Sequence, residues 1–330
     1  MLDVRNPETE ALPEAPELAT WTRKDLLDTD TLTSEEIALI LDTAEGMHEV
    51  RSRPVAKVAT LRGVTVVTLF YEQSTRTRAS FEVAAKALGA DVVNLTASGS
   101  SVEKGESLID TVRTLEAIGA DILVMRHGKS GAPYLAARNT SAGVINGGDG
   151  THAHPTQALL DLFTMRKRVG DLAGKRVVIV GDVLHSRVAR SNIWTLLASG
   201  ADVTLCGPAT LLPRTLASDG EGPRCSVTTN FDEAIEGADI VMALRMQKER
   251  QEKGLIPSLR EYINGYQVNS RRLALAKPGA LVMHPGPMNE GIEIAPDVAH
   301  GVTSVIEEQV SNGVSVRMAI LYLMATARHA

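Results

Sequence analysis

The sequence predicts an α/β protein built from two doubly wound parallel-sheet domains that are joined by helices. The chain has 330 residues, more than one domain usually holds, and its 44% hydrophobic content can fill two cores. Only 3% of its residues are aromatic, so aliphatic side chains must pack those cores, as in parallel sheets covered by helices. Short apolar runs also alternate with helical patterns, which favours parallel strands with right-handed crossovers.

The N-terminal segment predicts a flexible tail followed by one helix. Residues 1–20 hold three prolines among several glutamates and few core-forming side chains, so we expect the ordered domain to begin near Trp21. A helix is predicted from Thr33, because a capping hydroxyl precedes two acidic residues and apolar residues then recur at helical spacing.

Two series of short apolar runs predict the strands of the two sheets. The first series covers 63–70, 91–95, 121–125 and 143–146, and the second covers 176–182, 202–207, 239–244 and 280–284. A helix begins between the two series at His154-Pro155. The apolar stretch over 311–325 predicts a C-terminal helix.

Charge and composition exclude several classes of function. The net charge of -6 argues against nucleic-acid binding, which needs a basic surface. The N-terminus has no basic flank followed by an apolar stretch, and no apolar run approaches the length of a membrane span, so we expect an unexported, cytoplasmic protein without a membrane partner. Cys206 and Cys225 lack metal-ligand spacing, and we interpret both as reduced, structural cysteines.

The segment Ser74-Thr75-Arg76-Thr77-Arg78 predicts an anion site. It directly follows a predicted strand and precedes a helix, so hydroxyls, guanidinium groups and free backbone N–H groups converge at a helix N-terminus. Ligands of doubly wound sheets bind beyond the carboxyl ends of strands, where this segment lies. Phosphate suits these donors, although the segment lacks the glycines and the lysine of a Walker loop.

Further donors follow in the first half of the chain. Arg126 stands at the end of a predicted strand, from which it can reach an anion held by 74–78. In His154-Pro155-Thr156-Gln157, the proline leaves His154 extended at the mouth of a helix, where its imidazole could donate to a carbonyl oxygen. The Gln157 amide could recognise an NH2 group.

His152 and His154 have no third ligand nearby, so we expect neither a metal nor a cofactor.

The segment 96–106 has residues small and polar enough to form a mobile loop, and its lysine, Lys104, could close over an anion. An ordinary surface loop remains the alternative interpretation of that segment.

Residues that follow strands in the second half of the chain are suited to bind a dicarboxylate. Arg187 follows one predicted strand, Arg245 and Gln247 follow another, and His284-Pro285-Gly286-Pro287 follows the last. Two arginines can clamp two carboxylates, and a proline-rich turn exposes backbone carbonyls that no helix absorbs.

In this order, the motifs at 74–78, 154–157, 245–250 and 284–287 resemble the aspartate/ornithine transcarbamylase family, and in particular its aspartate carbamoyltransferase catalytic chains. The resemblance covers residues 21 to 325. It implies a homotrimer with sites shared between subunits, and it allows regulatory chains or dihydroorotase as further partners. It also implies three parts beyond the tail: a carbamoyl-phosphate-binding domain over 21–155, an aspartate-binding domain over 156–307 and a C-terminal helix over 308–330 that completes the first domain.

The resemblance implies a role for each motif residue. The phosphate would be bound by Ser74, Thr75, Arg76 and Thr77. The carbonyl oxygen would be polarised by Thr77, Arg126 and His154, with Arg126 also touching the phosphate. The carbamoyl nitrogen would be held by Gln157 and by the carbonyls of Pro285 and Gly286. The aspartate carboxylates would be bound by Arg187, Arg245 and Gln247. The neighbouring subunit would supply Ser100 and Lys104.

The reaction that the resemblance implies is carbamoyl transfer from carbamoyl phosphate to the amine of L-aspartate, a step of de novo pyrimidine biosynthesis. We assign Arg76, Thr77, Arg126 and His154 as its catalytic residues. The loop departs from the family in its Ser-Val-Glu-Lys-Gly sequence, which leaves the alignment of Ser100 open.

Three alternatives stay open on the sequence. An ornithine-type or other transcarbamylase shares the phosphate half, but those enzymes carry a cysteine where this chain has His284-Pro285-Gly286-Pro287. A dinucleotide oxidoreductase needs three glycines where this chain offers only Gly181. A non-catalytic anion-binding module is the third alternative.

Overall fold

The computed structural model describes residues 20–96, 106–217, 224–247 and 255–329. The predicted tail, apart from Thr20, lies outside these residues. So do Ser100 and Lys104 of the predicted loop. Within the described ranges, the chain forms two parallel sheets covered by helices, which confirms the predicted fold class.

The first sheet follows an N-terminal helix and has the strand order β2-β1-β3-β4. Every pairing in it is parallel. Its elements are α1 (Ser34–Arg51), β1 (Thr65–Phe70), α2 (Thr75–Ala87), β2 (Asp91–Thr96), α3 (Leu108–Ala117), β3 (Ile122–His127), α4 (Ala132–Ala137) and β4 (Gly143–Asp149).

The second sheet has the strand order β7-β6-β5-β8-β9, again with parallel pairing throughout. The remaining elements are α5 (Pro155–Val169), β5 (Arg176–Val180), α6 (Arg187–Ala198), β6 (Asp202–Cys206), β7 (Cys225–Thr228), α7 (Phe231–Ile235), β8 (Ile240–Ala243), α8 (Leu259–Tyr266), α9 (Ser270–Leu273), β9 (Leu281–Met283), α10 (Pro296–Ala299) and α11 (Ile306–His329).

The eight predicted strands are confirmed, with shifts of a few residues at their ends. The predicted first helix is also confirmed: Thr33 accepts from the N–H of Glu36, and the Glu36 side chain accepts from the N–H of Thr33. The sequence missed β7, because four residues with one buried side chain give too little periodicity. The C-terminal helix begins at Ile306, five residues before the predicted 311.

The C-terminal helix α11 packs against α1, α2 and α5. Its segment Ile306–Arg328 is long and apolar enough to cross a membrane, but 67% of its apolar stretch is buried inside the protein. A core helix meets the same criterion of length and composition, and the contacts of α11 are those of a core helix. Its burial fixes the position of Arg317, a buried cation that lines the pocket described below.

A substitution at Gly207, directly after β6, tests how closely the backbone segments beside the second sheet pack together. A Cβ at this position would overlap the backbone carbonyl oxygen of Gly181, and neither backbone can swing away as a side chain would. We expect Gly207→Ala to lower the unfolding temperature by several degrees, since overpacking costs about 1 to 3 kcal/mol. Gly46→Ala in α1 is the matched control, because a Cβ there meets nothing within 4 Å and alanine favours a helix. Equal unfolding temperatures for both variants would contradict the expectation.

Candidate active site

The strand order of each sheet marks where a ligand can bind. In the first sheet the chain moves from β1 to β2 on one side and then returns to β3 on the other, so the topological switch point lies between β1 and β3. In the second sheet the corresponding switch point lies between β5 and β8. Ligands of open α/β sheets bind in the crevices at such points, beyond the carboxyl ends of the strands.

A cavity of about 670 Å³ opens beyond both switch points. It is lined by residues that follow strands of both sheets. All twelve predicted site residues that the structure describes lie around it: Ser74, Thr75, Arg76, Thr77, Arg126, His154, Gln157, Arg187, Arg245, Gln247, Pro285 and Gly286. The structure therefore brings together segments that lie more than 200 positions apart in the sequence.

The N-terminus of α2 forms one wall of this cavity. Ser74 is the N-cap residue, yet its side chain makes no capping hydrogen bond. The first-turn N–H groups of a helix have no partner within the helix, and the helix dipole places partial positive charge at this end. The wall therefore offers backbone donors to an anion, together with the hydroxyls of Ser74, Thr75 and Thr77.

Five arginines line the cavity, whereas Glu72 is the one carboxylate among its described lining residues. Burial, and then the charge of Arg245, lower the pKa of Arg76 from its ordinary value. Arg317 is 4% exposed, and burial lowers its pKa to about 10. The cavity thus holds a surplus of positive charge that one or more anionic ligands can neutralise.

Glu72 joins two of these arginines across the cavity. Its Oε2 accepts from Nη2 of Arg187 at 2.8 Å and lies 3.4 Å from Nε of Arg126. The backbone adds acceptors, since Arg126 donates to the carbonyl of Gly147 and Arg187 to that of Gly150. Arg187 belongs to α6 and Glu72 follows β1, so this ion pair links the two sheets across the cleft.

His154 lies buried at the N-terminus of α5, at the base of the cavity. Burial, followed by the charges of Arg126 and Arg187, holds the pKa of its imidazole well below the ordinary value. Its backbone N–H donates to Oγ of Ser191 at 2.9 Å, which fixes the start of the helix. A neutral imidazole retains one N–H donor, and it can donate that hydrogen to a carbonyl oxygen without adding a charge.

The turn after β9 is held by the buried side chain of His284. Its Nδ1 accepts from the N–H of Gly286 at 2.8 Å, and its Nε2 lies 3.1 Å from Oε1 of Glu293. Gly286 has φ of +61°, and a Cβ there would collide with the guanidinium of Arg76. Arg76 also donates to the carbonyl of Pro285 at 3.4 Å, so this turn and the α2 wall meet at one point.

The sequence missed two lining residues of evident importance, Glu72 and Arg317. Glu72 sits between a strand and the Ser-Thr-Arg-Thr-Arg motif, where a single carboxylate has no pattern of its own. Arg317 did give a signal, because it is an isolated arginine inside an apolar helix. Its Nη1 donates to Ser80 at 2.9 Å, and its guanidinium lies 5.1 Å from the ring of Phe81.

Family comparisons cover nearly all of the chain. Residues 24–167 match the model of the carbamoyl-phosphate-binding domain of aspartate/ornithine carbamoyltransferases. Residues 173–324 match the aspartate/ornithine-binding domain of the same family.

Individual relatives agree with the family match. The chain is 61% identical to an aspartate carbamoyltransferase catalytic subunit of a Roseiflexus species over 92% of this chain and 95% of that one. It is 58% identical to the subunit of the same name from Heliobacterium modesticaldum, over 92% and 96% of the two chains.

Solved structures share the fold at lower identity. The aspartate transcarbamoylase of Trypanosoma cruzi, in complex with carbamoyl phosphate and aspartate, superposes with a TM-score of 0.82 at 29% identity, over 93% of this chain and 99% of that one. The ornithine carbamoyltransferase of Pyrococcus furiosus gives 0.83 at 30% identity, over 92% and 98%. The overall fold therefore does not separate the two substrates.

Proposed function

The chain belongs to the aspartate/ornithine carbamoyltransferase family, and we propose that its cavity joins the carbamoyl group of carbamoyl phosphate to the amine of L-aspartate. The chain is a carbamoyltransferase, and its 54–61% identical relatives are named aspartate carbamoyltransferase catalytic subunits. The products are N-carbamoyl-L-aspartate and phosphate, in a step of de novo pyrimidine biosynthesis. The observation that carries the proposal is the single cavity in which the phosphate and dicarboxylate motifs meet.

Carbamoyl phosphate is assigned to the wall formed by α2. Its phosphate accepts from the hydroxyls and N–H groups of Ser74, Thr75 and Thr77 and from the guanidinium of Arg76. Its carbonyl oxygen lies toward Thr77, Arg126 and His154. The geometry supports this assignment because these donors line the same cavity and because His154 is neutral.

The reaction needs no covalent enzyme intermediate. The aspartate amine attacks the carbonyl carbon, and a C–N bond forms while negative charge develops on the carbonyl oxygen. Preorganised donors stabilise this oxyanion more than they stabilise the ground state. The C–O bond to phosphate then breaks, and the departing phosphate takes the amine proton.

The dicarboxylate is assigned to Arg187, Arg245 and Gln247, which line the side of the cavity formed by the second sheet. Guanidinium groups bind carboxylates with paired, charge-assisted hydrogen bonds. The cationic side chain of ornithine would meet repulsion from the same arginines. This charge argument and the names of the relatives both favour aspartate over the ornithine alternative.

A steady-state assay tests the proposed function directly. The purified chain, incubated with carbamoyl phosphate and L-aspartate, is expected to release carbamoyl aspartate and one phosphate per turnover. With L-ornithine in place of L-aspartate, we expect little product. His154→Ala serves as the matched control, because it lacks the imidazole that donates to the carbonyl oxygen in the proposed reaction. Carbamoylation of ornithine in preference to aspartate, or phosphate release that does not depend on either amine, would overturn the proposal.

We propose the domain division 21–155 and 156–307, with the helix over 308–330 returning to the first domain. Two observations support it: each range holds one parallel sheet, and α11 packs against α1, α2 and α5. We also propose a cytoplasmic location, which is compatible with the buried thiol of Cys206, a cysteine outside any disulfide.

We propose a homotrimer in which each site takes Ser100 and Lys104 from a neighbouring subunit. The segment that holds both residues follows β2, where Val93 is 43% exposed, and Val83 on the preceding helix is 52% exposed. Exposed aliphatic side chains next to this segment are compatible with a subunit contact. The proposal places no nucleic acid at this surface, and it leaves room for regulatory chains or dihydroorotase as further partners.

Hybrid trimers test the shared site. Lys104→Ala chains and His154→Ala chains are each expected to be inactive, but their mixture regains activity, because some sites combine an intact His154 with an intact neighbouring Lys104. Mixing Thr77→Ala with His154→Ala is the matched control, since both residues line the cavity of one chain and no hybrid site is intact. Verified hybrid trimers without activity in the first mixture would contradict a shared site.

A further inference from the structure

A buried carboxylate lies directly behind the cavity wall, outside the residues assigned so far. Asp161 is fully buried in α5, one turn after Gln157. Its Oδ1 accepts from Nε2 of Gln157 at 2.9 Å and from Nε2 of Gln309 at 2.7 Å. Its Oδ2 accepts from Nδ2 of Asn192 at 3.0 Å. Three primary amides from three different helices therefore point their NH2 groups at one carboxylate.

This arrangement fixes which end of each amide faces outward. An ionised carboxylate only accepts hydrogen bonds, so each contacting amide must present its nitrogen. Gln157 lines the cavity. Its carbonyl oxygen is thereby directed away from Asp161, where it can accept a hydrogen bond from a ligand. A Gln157 amide turned the other way would present a donor to the cavity instead.

Gln309, the second amide, links Asp161 to the turn after β9. With its nitrogen on Asp161, Gln309 uses its Oε1 to accept from the backbone N–H of His284 at 3.0 Å. His284 begins the turn whose next two residues, Pro285 and Gly286, line the cavity. Asp161 is thus linked to both groups of acceptors, Gln157 and the turn at 285–286, that the family resemblance assigns to the carbamoyl nitrogen.

We propose that Asp161 is the positioning residue that makes this site selective for an NH2 group on the phosphorylated substrate, through Gln157 on one side and Gln309 on the other. The inference rests on the proposed function, because it explains how carbamoyl phosphate is distinguished from an acyl phosphate of the same shape. Asp161 does not line the cavity, so it acts through its neighbours rather than on the substrate.

The ionisation state of Asp161 agrees with this role. Burial raises the pKa of its carboxyl to about 6, while the three amide donors act in the opposite direction. The buried guanidinium of Arg317 also favours the charged form. The carboxylate is therefore ionised at neutral pH, where it can hold all three amides by their nitrogens.

The test compares two ligands that differ only at the group in question. Acetyl phosphate carries a methyl group where carbamoyl phosphate carries NH2. The dissociation constants of both are measured by calorimetry on the assembled protein, without aspartate, so that the ratio does not depend on turnover. Asp161→Leu keeps the branched shape of the side chain but removes both acceptor oxygens, and we expect it to reduce the preference for carbamoyl phosphate at least about tenfold.

Thr164→Val is the matched structural control. Thr164 is buried on the same helix and its hydroxyl makes buried hydrogen bonds, but it lies outside the cavity lining. This variant is expected to lower stability and to leave the preference unchanged. In a Gln157→Ala background, Asp161→Leu should reduce the preference less than it does in the wild type, since the two residues act in series.

Each outcome decides the inference. A wild type that binds both ligands equally, or a folded Asp161→Leu protein with wild-type preference, overturns it. If Asp161→Leu does not assemble, Gln309→Met is decisive, because it cuts the link to His284 and leaves Asp161 with two donors. A wild type that prefers carbamoyl phosphate but does not carbamoylate aspartate would overturn the proposed function and leave this inference standing.

Discussion

Arg76→Ala is expected to retain the fold and to lower kcat/KM for carbamoyl transfer at least about a hundredfold. Arg76 sits in the first turn of α2, where its guanidinium faces the anion site together with the helix N-terminus. Its hydrogen bond to the carbonyl of Pro285 is long at 3.4 Å and contributes little to stability. Removing it takes away a donor to the phosphate group that must leave in the reaction.

Thermal unfolding and steady-state kinetics, measured on the same preparation, separate these two effects. Arg138→Ala is the matched control, because Arg138 is exposed at the end of α4 and lies outside the cavity lining. Arg76→Lys should recover only part of the activity, since an ammonium group lacks the planar fork that matches a phosphate. Near-wild-type activity in a folded Arg76→Ala protein would remove the phosphate assignment.

The sequence indicates where the candidate site lies better than it indicates which contacts form within it. Strand ends are visible because an apolar run stops and polar residues begin, and the carboxyl ends of parallel strands share one edge of each sheet. Arg126 could therefore be placed beside the anion site at 74–78, and Arg245 at a strand end of the second half. Their meeting in one cavity needed the structure, since no local spacing relates them.

Two carboxylates that sequence reasoning missed, Glu72 and Asp161, depend on distant contacts. Glu72 acquires its role from Arg187, which lies 115 positions later in the chain. Asp161 reads in sequence as one polar residue within an otherwise buried helix, and its partner Gln309 lies 148 positions away. A buried carboxylate must be hydrogen-bonded, but the sequence alone does not say by which groups. The proposed role of Asp161 follows only from the three amide donors that surround it in the structure.

Arg245→Ala is expected to lower kcat/KM for aspartate at least about tenfold, because it deletes charge-assisted hydrogen bonds worth about 1.5 to 3 kcal/mol each. Carbamoyl phosphate affinity should change far less. The reason is spatial: Arg245 follows β8 of the second sheet, whereas the assigned phosphate donors belong to α2 in the first half. Loss of the positive charge beside Arg76 would produce a smaller, general weakening of anion binding.

Calorimetry with carbamoyl phosphate, beside aspartate kinetics, distinguishes the local effect of Arg245→Ala from the general one. Arg271→Ala serves as the control, because Arg271 pairs with Asp232 at an exposed position of the second half and lies outside the cavity lining. A dicarboxylate needs two cationic contacts at a defined separation, and Arg187 alone is partly neutralised by Glu72. Aspartate should therefore be sensitive to Arg245 in a way that phosphate, with its own helix N-terminus, is not. Equal weakening of both ligands would mean that Arg245 acts as a diffuse charge, and the assignment of aspartate to this wall would have to be abandoned.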